Sequence, residues 1–154
     1  MKQSRVSSGN ARSRGGIQVR QTLCFAIAAA GLMSFASIAE AKDRLGPDEV
    51  LNKGDSLTSN NGVYSLVCQQ DGNLVLYIKG GSRALWASRT DGKAITGCIM
   101  QGDGNLVLYA YSGRAVWATG THGHPGAYLV VQDDGNVVIY SLEGKALWAT
   151  GTHH

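Results

Sequence analysis

The chain has 154 residues with a formal net charge of +3, but the positive excess is unevenly placed. Lys2, Arg5, Arg12, Arg14 and Arg20 all precede residue 42 against the single acid Glu40, so residues 42–154 hold nine basic and ten acidic side chains. A near-neutral body without a basic stripe excludes nucleic acid and anionic membrane as expected partners, because phosphate binding rests on clustered Lys and Arg.

Residues 1–41 read as a secretory signal peptide: basic residues, an apolar run from Leu23 to Ile38, then the small-x-small Ala39-Glu40-Ala41. The run is broken by Gly31, Ser34 and Ser37 and falls short of the ~20 apolar residues that span a bilayer. Cleavage after Ala41 is expected, leaving residues 42–154 as one domain, secreted (extracellular or periplasmic) and without a membrane anchor. That length is enough to bury a core without a cofactor.

Within residues 42–154 the string QxDGNxVxY occurs at 69–77, 101–109 and 132–140. Internal repetition at a fixed period sets the architecture before any local reading. Short runs rich in Val, Leu, Tyr and Trp, punctuated by Gly, Asn, Asp and Ser, predict strands over 64–69, 73–78 and 84–88 in the first repeat. The later repeats match over 105–109 and 114–118, then 136–140 and 145–150. Residues 46–66 are expected to complete the first unit. The C-terminal Leu147 to Thr152 would close the ring within the chain or by exchange with a second copy. Trp86, Trp117 and Trp148 recur once per repeat in small apolar frames, which predicts a shared core rather than a stacking surface.

Two cysteines, Cys68 and Cys98, remain after Cys24 leaves with the leader. They precede their motifs at odd offsets and should face the same side of their strands, so a disulfide between them is expected in an oxidising compartment.

If the motif is one strand, alternation places Gln69, Asp71, Asn73, Val75 and Tyr77 on one face and Leu74 and Leu76 on the other. The equivalents are Gln101, Asp103, Asn105, Val107 and Tyr109, then Gln132, Asp134, Asn136, Val138 and Tyr140. Asp-Gly-Asn also reads as turn chemistry, and the polar row also reads as a solvated face. Neither accounts for the identity of every alternate position while the residue after Gln varies as Gln70, Gly102 and Asp133. A carboxylate accepts, carboxamides donate and accept, and a phenol does either. Such a row matches adjacent sugar hydroxyls.

QQDGNLVLY, QGDGNLVLY and QDDGNVVIY resemble the mannose-site motif of the bulb-type (monocot mannose-binding, B-type) lectins, and the likeness covers about residues 45–154. It implies an all-β fold, a β-prism II of three four-stranded antiparallel sheets around a pseudo-three-fold axis, with one shallow metal-free site per sheet. In the first site it assigns Asp71 and Asn73 to the 2-hydroxyl of mannose, Gln69 to the 3-hydroxyl, Tyr77 to the 4-hydroxyl and Val75 to the ring carbons. The other two motifs would act alike. The implied ligands are mannose and mannose-containing glycans, with no cofactor, and a homodimer formed by exchange of the C-terminal strand is a known family arrangement. The leader and the single domain suit a secreted bacterial member. In the plant relatives a cysteine lies inside the first motif, whereas here Gly72 holds that position and Cys68 lies upstream.

Two other classes stand against that reading. A glycan-cleaving enzyme ordinarily needs a second carboxylate, which one Asp per site does not supply. His122, His124, His153 and His154 lack neighbouring Cys or carboxylate ligands that would make a metal site of them. A lectin-like bacteriocin, or an antibacterial or adhesion protein reading surface polysaccharide, would use the same sites for a different end.

Overall fold

The structure, a computed structural model, describes residues 42–154; the predicted leader lies outside them. The described residues form twelve strands: β1 (Arg44–Leu45), β2 (Glu49–Asn52), β3 (Ser56–Thr58), β4 (Tyr64–Cys68), β5 (Leu74–Ile78), β6 (Ala84–Ala87), β7 (Ile95–Met100), β8 (Leu106–Ala110), β9 (Ala115–Ala118), β10 (Tyr128–Val131), β11 (Val137–Tyr140) and β12 (Ala146–Ala149). No helix among them is long and apolar enough to cross a membrane.

The strands make three antiparallel sheets of four, ordered β3-β4-β5-β6, β2-β7-β8-β9 and β1-β10-β11-β12. Each repeat supplies three consecutive strands as a meander, and the fourth comes from the N-terminal segment. That segment was expected to complete only the first unit. Instead β1, β2 and β3 pair with β10, β7 and β4, one strand to each sheet. Residues 42–58 thus lace the three repeats together. At the other end, β12 pairs with β11 of its own chain, Val138 opposite Ala149 and Ile139 opposite Trp148.

Period-two alternation decides which face is buried. Leu74 and Leu76, Leu106 and Leu108, and Val137 and Ile139 all point into one core, joined there by Leu45, Leu51, Leu57, Leu66, Ile95, Met100 and Leu129. The three tryptophans pack against that core and meet edge to face, with ring centroids 5.5–5.9 Å apart. That is the arrangement a ring quadrupole favours, and it brings β6, β9 and β12 to a common pseudo-three-fold axis.

Cys68 and Cys98 do share the core side, as expected, but the bridge is not formed: both are free, buried thiols. They sit on β4 and β7, strands of different sheets. The Cys98 backbone amide lies against the Cys68 sulfur, and burial pushes the Cys68 thiol up to about 11.

Candidate functional site

Each motif is centred on a tight hairpin rather than on one continuous strand. Gln69 follows the end of β4, Gln70 to Gly72 make the turn, and Asn73 precedes β5. The Gln69 amide donates to the Asn73 carbonyl at 2.8 Å and the Gly72 amide to the Gln69 carbonyl at 3.1 Å. This is a three-residue connection closed by a left-handed glycine, with Gly72 at φ 95°, Gly104 at 94° and Gly135 at 84°. The expected single-strand alternation is therefore corrected: only Val75 and Tyr77 of the first row, and their equivalents, lie on a strand. The turn brings Asp and Asn to the same side by folding, not by pleating.

Close approach requires the same glycines. A Cβ on Gly72 would lie 2.1 Å from the Lys93 carbonyl oxygen, on Gly104 2.3 Å from that of His124, and on Gly135 2.6 Å from the Tyr64 ring.

The side chains repeat their geometry three times. Asp71 Oδ1 accepts from the Asn73 amide at 2.9 Å, Asp103 from Asn105 at 3.0 Å and Asp134 from Asn136 at 2.9 Å. Gln69 Nε2 donates to Tyr77 Oη at 3.0 Å, with 2.9 Å for both Gln101–Tyr109 and Gln132–Tyr140. Every motif Asp is exposed, while each Gln, Asn and Tyr is half-buried. The valines are nearly sealed, with Val75 and Val107 2% exposed and Val138 3%. They form a closed floor rather than an open contact surface.

The asparagines are held by residues that the motif does not contain. After each tryptophan comes Ala, then Ser or Thr, then any residue, then Thr: Ser88/Thr90, Thr119/Thr121 and Thr150/Thr152. Asn73 Oδ1 accepts from Ser88 Oγ at 3.0 Å and from the Thr90 amide at 3.2 Å. Asn105 Oδ1 accepts from Thr119 Oγ1 and from the Gly120 and Thr121 amides at 3.2, 2.9 and 3.2 Å. Asn136 does the same with Thr150, Gly151 and Thr152 at 3.0, 3.0 and 3.3 Å. The second Thr hydroxyl of each pair donates to the carbonyl of the motif glycine at 2.6–2.7 Å. The thrice-repeated Trp-Ala-[Ser/Thr]-x-Thr string was the available signal for this clamp.

The clamp fixes the carboxamide orientation, because a backbone amide must face its oxygen. The Nδ2 group then points away from the clamp, with both hydrogens available. Asp Oδ2 likewise has no partner among the described residues, and the Gln–Tyr pair retains donor and acceptor capacity at both ends. An acceptor, a double donor and a mixed pair converge over a valine floor in each sheet. The arrangement suits hydroxyl recognition. Among the described residues no three His, Cys, Asp or Glu side chains gather as metal ligands.

The residue after each motif Gln varies because each faces a different neighbour. A Cβ on Gly54 would meet the Gln70 amide group at 2.8 Å, the Gly102 amide donates to Asp48 Oδ1 at 2.8 Å, and Asp133 Oδ1 accepts from the Asn61 amide at 2.8 Å. Gly54 and Asp48 lie in the segment that laces the sheets, and Asn61 follows it just past β3. Variation there is local fitting.

No protein-family model matches the chain. It is 48% identical over 56 residues to a B-type lectin, plumieribetin, of the fish Scorpaena plumieri, a match spanning 36% of this chain and 47% of that protein. The chain thus spans about half the length of this curated relative. Among solved structures it is similar to a monomeric monocot mannose-binding lectin from Gastrodia elata, with 46% identity over 73% of this chain and 100% of the other and a TM-score of 0.64. It is also similar to the mannose-specific agglutinin of snowdrop (Galanthus nivalis) bulbs in complex with methyl-α-D-mannoside, with 40% identity over 73% and 99% of the two chains and a TM-score of 0.57. Three prism faces, three clamped motifs and this likeness over the whole length of the Gastrodia protein lead to one assignment: the chain belongs to the bulb-type lectin family of non-catalytic carbohydrate-binding proteins.

Proposed function

We propose that the chain is a secreted lectin that binds D-mannose and mannose-containing glycans through three sites. The observation that carries this reading is the same set of groups with spare hydrogen-bonding capacity presented three times: Asp Oδ2, Asn Nδ2 and a Gln–Tyr pair around a valine floor. In the first site Asp71 and Asn73 hold the 2-hydroxyl, Gln69 the 3-hydroxyl and Tyr77 the 4-hydroxyl, with Val75 beneath the ring; the other motifs act alike. The mannose specificity of the snowdrop agglutinin and its mannoside complex support mannose as the sugar. Hydrogen bonds to the charged Asp are the stronger ones, at roughly 1.5–3 kcal/mol each. An open, partly exposed site of this kind should bind one monosaccharide near ~1 mM, worth about 4 kcal/mol.

The test is retention on mannose-agarose with elution by free mannose, using protein that begins at Lys42. The triple variant Asp71→Asn, Asp103→Asn, Asp134→Asn should pass straight through while keeping its melting temperature. Identical behaviour of the two proteins on the column sinks the reading. Recovery from the culture medium of a protein whose first residue is Lys42 checks the secretion half separately.

A further inference from the structure

One of the differences between the three sites lies beside the motif tyrosine on the outer face. The residue opposite the motif tyrosine on the neighbouring strand is Ser65 for Tyr77, Gly97 for Tyr109 and Tyr128 for Tyr140. Only the third has a second aromatic ring. Tyr128 and Tyr140 stand with centroids 6.0 Å apart and planes tilted by 33°, both half-buried. The second site cannot gain such a ring without moving backbone, since a Cβ on Gly97 would lie 3.0 Å from the Leu51 carbonyl oxygen.

Tyr128 is not needed to hold Tyr140. Tyr77 and Tyr109 are positioned by their glutamines at 3.0 and 2.9 Å with only Ser65 or Gly97 beside them, and Gln132 holds Tyr140 at 2.9 Å in the same way. Beyond Tyr128 on the same face, Arg44 stands opposite Val130 on β1. Its Nε and Nη2 groups are committed to Asp43 at 3.1 and 3.3 Å, and Asp43 is also held by Asn60. The edge therefore offers an aromatic face beside a mutually neutralised ion pair. An apolar C–H face of a neutral pyranose fits that surface better than an acidic sugar.

We propose that the third site is a two-sugar site, in which Tyr128 is a specificity-determining residue that stacks under a second neutral pyranose linked to the one held by Gln132, Asp134, Asn136 and Tyr140. The first and second sites take a single terminal residue. This rests on the reading of all three motifs as mannose sites.

The experiment is a titration of isotope-labelled protein with methyl α-D-mannoside and with a methyl α-linked dimannoside, read at the side-chain amides of Gln69, Gln101 and Gln132. At Gln132 the disaccharide should bind roughly five- to tenfold more tightly than the monosaccharide, the scale of one aromatic contact. At Gln69 and Gln101 the gain should stay within about twofold, the statistical allowance for two sugar units. Tyr128→Ser should reduce the ratio at Gln132 to that at Gln69, Tyr128→Phe should preserve it, and Ser65→Tyr should raise it at Gln69. Equal ratios at all three reporters, or an unchanged ratio in Tyr128→Ser, overturn the proposal and leave the mannose reading standing. Failure of methyl α-D-mannoside to shift any reporter overturns both.

Discussion

Asn73, Asn105 and Asn136 commit the oxygen of the carboxamide to the clamp and leave the nitrogen to the proposed site. The same economy appears in the aspartates, whose Oδ1 shapes the turn while Oδ2 faces outward. Identity at these positions follows from the double duty: Ser or Thr would shape the turn but not offer a carboxylate, and Asp in place of Asn would accept from the clamp but not donate outward. The first site departs in one respect, because Arg89 takes the left-handed position (φ 57°) that Gly120 and Gly151 fill elsewhere, and Asn73 Oδ1 has two donors where the others have three. Cys68 and Cys98 show burial acting on chemistry. Both thiols are pushed up by desolvation, Cys68 from 9.0 to about 11. A folded state that keeps a proton which the unfolded chain releases binds more protons, so stability falls as pH rises. The contribution is whole below about pH 9 and is lost as pH climbs from there through about 11. Urea midpoints should therefore drop more steeply between these limits in the wild type than in a Cys68→Ala, Cys98→Ala variant. Parallel curves would show that the alkaline loss belongs to Tyr and Lys groups instead.

At the scale of the element, the hairpin sets the site and its glycine sets the hairpin. Gly104 and Gly113 make a controlled comparison, since both have positive φ (94° and 79°) but only Gly104 has backbone within Cβ reach, the His124 carbonyl oxygen at 2.3 Å. Gly113→Ala should cost about 1 kcal/mol for the strained conformation alone. Gly104→Ala should cost clearly more, ~2–4 kcal/mol, because the loop after β9 must also move. Equal losses in denaturant titrations would mean that the contact relaxes freely and the loop does not brace the turn. Much of this element was legible beforehand. Leu74, Leu76 and their equivalents alternate cleanly, so the core face, the strands and the three-fold plan follow from period and pattern. The break between strands 64–69 and 73–78 was read correctly, but carrying one alternation through Gln69 to Asn73 went wrong because Gln-x-Asp-x-Asn mimics period two, while Asp-Gly at its centre was the stronger local signal. The lacing of β1, β2 and β3 was not legible, since strands of two to four residues carry almost no periodic signal and pair with β10, β7 and β4 far along the chain. The disulfide failed for a related reason: alternation gives the facing side but not the sulfur-to-sulfur geometry a bridge demands.

Across the whole molecule, three sheets turn their apolar faces to one axis, marked by the Trp86, Trp117 and Trp148 triad, and their exposed motif aspartates lie off that core. On the proposed function, three sites that diverge from a common axis cannot all lie on one flat carpet of glycans. Linkage in such a molecule favours bridging between particles over repeated grip on a single one, and multivalent gain depends on whether geometry allows simultaneous engagement. Beads coated with a branched mannan should thus be agglutinated by the wild type at concentrations where each site alone, near ~1 mM, would be mostly empty. Asp71→Asn with Asp103→Asn leaves the third site, the one beside Tyr128, as the single functional face. That variant should still bind soluble mannoside at Gln132 but lose agglutination altogether, because a one-site protein cannot join two beads. Restoring Asp71 should restore bridging in part, two faces making chains where three make networks. If the one-site variant agglutinates as well as the wild type, the bridging is done by association between copies of the chain, and the three faces of one prism are not the source of valency.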